Sequence, residues 1–95
     1  MREYKLTKQA IKKLKSLSKN DPKLAIQITS SILNLRKYLI KGESLTGFTL
    51  YKKIRVRDFR IIYKLENEKL LIAIIDKRET VYKIFEHLVK NSYLF

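Results

Sequence analysis

The sequence predicts an α+β fold in a single domain spanning residues 1–95, with elements in the order β-α-α-β-β-β-α. A helical hairpin covers one face of an antiparallel meander, and a further helix closes the chain. Three observations predict this. Apolar residues from Ala10 to Leu39 recur at steps of three and four, interrupted at Asn20-Asp21-Pro22. Tyr51–Tyr63 alternates apolar and basic residues with period two, as a strand with one dry and one wet face does. The run Leu70-Leu71-Ile72-Ala73-Ile74-Ile75 is apolar throughout and reads as a strand covered on both faces.

Arg2–Leu6 is short and alternating, which suits an edge strand with Tyr4 and Leu6 inward. Thr7 is placed to cap a helix, and Leu6 to staple onto Ile11. Ala10, Ile11, Leu14 and Leu17 form its inner stripe. Its outer face carries Lys8, Lys12, Lys13, Lys15 and Lys19, which read as a solvated surface. Asp21 caps a second helix with Pro22 at its first position, where the missing N–H is no loss. Leu24, Ile28, Ile32, Leu35 and Leu39 carry that helix to about Ile40, with Lys41-Gly42 as its stop.

Glu43–Thr49 is expected as a loop. A tight turn at Arg57-Asp58 then pairs Val56 with Phe59, so that Ile54, Val56, Phe59, Ile61 and Tyr63 share the dry face. Lys53, Arg55, Arg60 and Lys64 fall on the other face, with Arg55 directly across from Arg60. Like charges opposite one another destabilise a strand pair. A fold that keeps such a pair has a polyanion to hold, and the hairpin cations Lys52, Lys53, Arg55, Arg57 and Lys64 are the candidates to bind it. Lys52 points toward the apolar side, near the strand end or with its head in solvent. A turn at Glu66–Lys69 precedes the apolar strand, and Asp76 with Glu79 is spaced like a capping box. Val81, Ile84, Phe85 and Leu88 make the last helical stripe, with Tyr82 at its border, one turn after Arg78. Asn91–Phe95 reads as a loosely held tail in which Tyr93, Leu94 and Phe95 could dock.

Composition narrows the chemistry. The chain has 22 Lys and Arg against 9 Asp and Glu, a net charge of +13 that favours nucleic acid or an anionic surface. No cysteine and one histidine argue against disulfides and metal sites. No segment approaches the roughly 20 apolar residues that span a bilayer, and the N-terminal residues lack the run of a signal peptide. The chain is read as cytoplasmic and free of cofactors. No glycine-rich phosphate loop or nucleophile–histidine arrangement is present. Cations and tyrosines around a sheet face remain, and these suffice to act on a phosphodiester. RNA cleavage needs the 2′-hydroxyl deprotonated, the phosphorane charge neutralised and the leaving oxygen protonated. Guanidinium forks serve the second need, and a tyrosine or lysine among cations serves the others.

Leu45-Thr46-Gly47, the segment Tyr51-Lys-Lys-Ile-Arg-Val-Arg-Asp-Phe-Arg60 with Ile61-Ile-Tyr63, and Arg78-Glu-Thr-Val-Tyr82 together resemble the RelE/ParE superfamily of type II toxins. The element order is also that family's, so the resemblance covers essentially the whole chain. It implies a ribosome-dependent endoribonuclease that cuts mRNA in the decoding site and is held inactive by a cognate antitoxin. Carried over by position, Arg60 matches the arginine on the scissile phosphate, Arg78 the transition-state arginine and Tyr82 the catalytic tyrosine. Lys53 and Arg55 match the hairpin positions that bind backbone or assist proton transfer. The RelE pattern has its arginine six positions before the tyrosine, where this chain has Asp76. The YoeB-like branch has a histidine where this chain has Val81. Two other functions stay open: a ParE-like inhibitor of DNA gyrase, and a non-catalytic RNA-binding module or decayed toxin.

Overall fold

The computed structural model describes residues 2–90. Eight elements follow one another: β1 (Glu3–Leu6), α1 (Lys8–Asn20), α2 (Pro22–Arg36), β2 (Glu43–Leu45), β3 (Phe48–Val56), β4 (Phe59–Glu66), β5 (Lys69–Lys77) and α3 (Arg78–Lys90). The five strands form one sheet in the order β1-β5-β4-β3-β2. β3, β4 and β5 are the expected meander, while β1 lies parallel to β5 at one edge. The fold class is the one expected, with one strand more. Glu43–Leu45, expected as loop, pairs with β3 through the turn at Gly47, whose φ of 81° glycine accepts without strain. Three residues are too few to show a period.

The caps expected at Thr7 and Asp21 both form. The Thr7 hydroxyl accepts from the Ala10 N–H and donates to the Ala73 carbonyl, tying the start of α1 to β5. The Asp21 carboxylate accepts from the Leu24 N–H, with Pro22 at the first turn. Ala10 and Leu17 are buried and Leu14 packs beside them, but Ile11 is 40 % exposed. It is about 100° around the helix from Ala10, beyond the sheet's cover.

α2 ends at Arg36, short of the expected Ile40. Tyr38 takes φ 63°, its N–H bonding the Leu35 carbonyl, while the Leu39 N–H bonds that of Asn34. This is a Schellman stop with tyrosine where glycine is usual. The reason is distant in sequence. Arg2 donates from Nη1 to the Leu35 carbonyl at 2.8 Å and lays its guanidinium 4.0 Å from the Tyr38 ring centre. A cation on the last carbonyls suits the negative end of the helix. Leu39 is consequently 68 % exposed. Tyr4, expected inward, is half exposed, with the Arg36 guanidinium over its ring. The tail residues Tyr93, Leu94 and Phe95 lie outside the described residues.

Two cores sandwich the sheet. Val56, Phe59, Ile61, Tyr63, Leu70, Ile72 and Ile75 face α1 and α2, whose Ala10, Leu17, Leu24, Ala25, Ile28, Ile32 and Leu35 cover them. Ile62, Ala73 and Ile74 face α3 through Val81 and Phe85, with Leu45 joining from β2. The register of β4 on β5 shifts between Ile62 and Tyr63, pairing Ile62 with Ile74 but Tyr63 with Ile72. The extra residue lets Ile72 and Ile75 share a face although three positions separate them.

Candidate functional site

The site begins at the tip of the β3–β4 hairpin. Val56 pairs with Phe59 and Arg55 with Arg60, as the alternation predicts. Arg57 occupies the turn at φ 54°, a costly conformation for a residue with a Cβ. Its carbonyl accepts from Nε of Arg55 at 3.2 Å and from Nη1 of Arg60 at 3.1 Å. A second bond from Arg60 Nη1 reaches the Phe59 carbonyl at 2.9 Å. One carbonyl thus gathers two guanidiniums, and its dipole offsets part of their repulsion.

Beside them lies a cleft of about 340 Å³ lined by Lys41, Gly42, Glu43, Lys53, Ile54, Arg55 and Arg60. Its far wall, residues 41–43, is set by the core. The Gly42 N–H donates to the Tyr63 phenol oxygen at 2.8 Å. A Cβ on Gly42 would lie 2.5 Å from the Lys53 carbonyl oxygen and 2.8 Å from that phenol, so only glycine fits. Burial raises the pKa of Tyr63, with the Gly42 bond and Arg2 pulling the other way. Gly42 therefore serves close approach to a strand. The sequence offered it as a helix stop, and Glu43 carried no signal because its place opposite Lys53 depends on β2.

Lys53 extends the site toward α3. Its Nζ lies 5.7 Å from the ring centre of Tyr82, and both residues line a smaller cleft with Phe48, Phe85 and Glu86. Tyr82 also borders a cleft with Asp58, Arg78 and Glu79. The Arg78 N–H donates to the Asp58 carbonyl at 2.7 Å, which fixes the first turn of α3 against the hairpin tip. The rings of Phe48 and Tyr51 meet Phe85 edge-on at 4.9 and 4.8 Å and hold the same helix along its length. Arg55, Arg60, Lys53, Tyr82 and Arg78 thus form one band across the open end of the sheet.

Three candidates are elsewhere. Arg57 turns its side chain toward Asp21, 3.5 Å away at the start of α2. Lys52 pairs with Tyr63, on the side of the helical hairpin. Lys64 shares the basic face by alternation, but Ile62 beneath α3 separates it from Arg60. It bonds Glu66 at 2.9 Å, and that bond raises its pKa. Asp76 sits directly across from Arg60, yet its carboxylate takes Lys13, Gln9, the Lys77 N–H and the Thr80 hydroxyl. It joins α1 to the start of α3, and the capping box expected of Asp76 and Glu79 does not form, because β5 runs on through Lys77 and the carboxylate takes the Lys77 N–H and the Thr80 hydroxyl. His87 lies exposed near the end of α3, away from this band. Among the described residues no three His, Cys, Asp or Glu side chains converge as metal ligands. Among the described residues no helix is long and apolar enough to cross a membrane.

Chemically, the arrangement offers two converging guanidiniums for a phosphate, with a lysine and a phenol within the same band for proton transfer.

A family model described as the ParE toxin of the type II toxin–antitoxin system parDE matches residues 4–82. Among solved structures, the isolated RelE toxin of Escherichia coli is similar with a TM-score of 0.69 at 17 % identity, covering 96 % of this chain and 98 % of that one. The YoeB–YefM complex of Staphylococcus aureus gives 0.67 at 19 % identity, over 80 % and 95 % of the two chains. The RelB–RelE antitoxin–toxin complex of Methanococcus jannaschii gives 0.60 at 21 %, over 84 % and 96 %. At these identities the likeness is one of fold. No curated protein matches the sequence.

Proposed function

Because the chain belongs to the ParE toxin family, within the RelE/ParE superfamily of type II toxins, we propose that it arrests growth by cutting mRNA on the ribosome, under the control of a cognate antitoxin. The observation that carries this reading is the pair of guanidiniums, Arg55 and Arg60, gathered on the Arg57 carbonyl at the mouth of a basic cleft. In this reading the message lies along the band from Arg60 to Arg78. Arg60, with Arg55 behind it, takes the scissile phosphate and neutralises the phosphorane. The 2′-oxygen attacks the adjacent phosphorus while its proton passes to a base, and the bond to the 5′-oxygen breaks as that oxygen gains a proton. Lys53 and Tyr82 would make the two transfers, and Arg78 would add charge from the start of α3. The antitoxin would silence the site by covering the same cations.

The test is cleavage of message on programmed ribosomes beside the same RNA free in solution. Cutting of the ribosome-bound message alone is expected. Arg60→Ala should slow it by about 10²–10³-fold, the cost of one lost transition-state donor. Arg78→Ala and Tyr82→Phe should slow it while the circular dichroism spectrum stays unchanged. Intact message over a range of protein concentrations would sink the reading, and binding without cutting would point to a non-catalytic module.

A second reading has its own support. Asp76, at the sixth position before Tyr82, is fully engaged with α1 and α3, and the matching family model is that of ParE toxins. Both favour inhibition of DNA gyrase without chemistry at the band. Loss of gyrase supercoiling on adding the protein would establish it.

A further inference from the structure

The most one-sided charge in the molecule lies outside the cleft. α1 carries five lysines and no acidic residue. Lys13 is half-buried and paired with Asp76 at 3.5 Å. Lys8, Lys12, Lys15 and Lys19 are all exposed. None of the four takes part in an ion pair or hydrogen bond of its side chain among the described residues. At about 100° per residue they fall within about 60° of arc, and their axial span is about 16 Å. They form a single ridge with axial steps of about 4.5–6 Å.

The ridge works against its own helix. Lysines four apart on one face repel, and Lys8 stands at the positive end of the helix dipole. General lysine richness does not account for it, since α3 interleaves Glu79 and Glu86 with Arg78, Lys83 and Lys90. The side chains also differ in kind from those of the cleft. There, arginine forks and a tyrosine suit one phosphodiester. Here, flexible point charges stand in a row with no aromatic among them on which an unpaired base could stack. Such a row reads phosphates without reading bases, and its spacing suits successive phosphates of a regular helix. α1 packs on the sheet face opposite the arginine pair. One RNA segment therefore does not serve both surfaces.

We propose that the α1 ridge of Lys8, Lys12, Lys15 and Lys19 is a second nucleic-acid surface, which docks the phosphate backbone of double-helical RNA while the cleft acts on a single strand. The biological setting, structured RNA of the ribosome beside the message, rests on the reading above, but the binding itself does not. The test uses fluorescence anisotropy with a blunt 16-base-pair RNA duplex, and a DNA duplex of the same sequence, across a salt series. The full chain is compared with a ridge variant (Lys8→Gln, Lys12→Gln, Lys15→Gln, Lys19→Gln) and a control (Lys23→Gln, Lys37→Gln, Lys83→Gln, Lys90→Gln) of the same charge loss. The ridge variant should bind the RNA duplex at least about 10-fold more weakly, with a log–log salt slope flatter by about 3, close to one unit per lost phosphate contact. Equal loss in both variants, no loss in the ridge variant, or tighter binding of the DNA duplex overturns the proposal. An intact duplex result with no cleavage on ribosomes would remove the nuclease reading and leave this surface standing.

Discussion

The two faces of the sheet are made from alternate residues of the same strands, yet they are finished differently. On one, α1 and α2 cover Val56, Phe59, Ile61, Tyr63, Leu70, Ile72 and Ile75. On the other, α3 covers Ile62, Ala73 and Ile74 but leaves Arg55 and Arg60, which stand opposite each other, open to solvent. The difference teaches how a small protein keeps a repulsive cluster. The buried parts of both faces carry the stability, so the open end of the second face is free to hold charge that the fold alone would disfavour.

That division is sharpest between neighbours on β4. Ile61→Ala should cost about 2–5 kcal/mol in urea unfolding, since its side chain is fully buried. Arg60→Ala, one residue away, should cost no more than about 0.5 kcal/mol, while removing most cleavage. Comparable losses at both positions would show that the faces are not separable. Tyr63 tests a place where the dry face reaches the wet one. Tyr63→Phe strands the Gly42 N–H and should cost about 1–3 kcal/mol. It should also change the response to alkali. The folded phenol has its pKa raised above the ordinary 10.0 by burial, so the folded chain keeps a proton that the unfolded chain loses. Stability from this group is complete below the ordinary value and is lost as pH rises through the raised one. Urea midpoints at about pH 9 and about pH 11 should therefore diverge more in the parent than in Tyr63→Phe. The smallest effect has the opposite sign. Arg55→Gln removes the facing like charge and should stabilise the hairpin by about 0.2–1 kcal/mol, read as a higher melting temperature, while cleavage falls.

What could be read from the sequence was what depends on near neighbours. Alternation placed the Arg57-Asp58 turn, the Arg55–Arg60 pairing and the dry-face set, and local chemistry placed the caps at Thr7 and Asp21. Contacts far apart along the chain hid the rest. α2 carries a period that runs on through Leu39, and only Arg2 on the Leu35 carbonyl and Tyr38 ring explains its earlier end. The basic face read as continuous from Lys53 to Lys64, but α3 seals Ile62 in its middle and leaves Lys64 to Glu66. Gly42 could be seen as a glycine with a purpose, though not which one, because its neighbour Tyr63 lies two strands later. Of the proposed site, Arg55 and Arg60 were legible from parity, whereas Arg78 and Tyr82 were suggested only by the resemblance. The place of Tyr82 beside Lys53 depends on how α3 is hung from Asp58, Phe48 and Tyr51.

The parallel pairing of β1 with β5 also sets an order in time. The two hairpins of the meander close through short turns, on a scale of microseconds. Thr7 meets Ala73 across 66 positions, so β1 must close a long loop before it gains a contact there. Pairing of that separation is slow to form. During synthesis β1 emerges well before β5 and waits for it. Once β5 has emerged and until β1 pairs with it, its backbone edge is open to any other extended chain that reaches it.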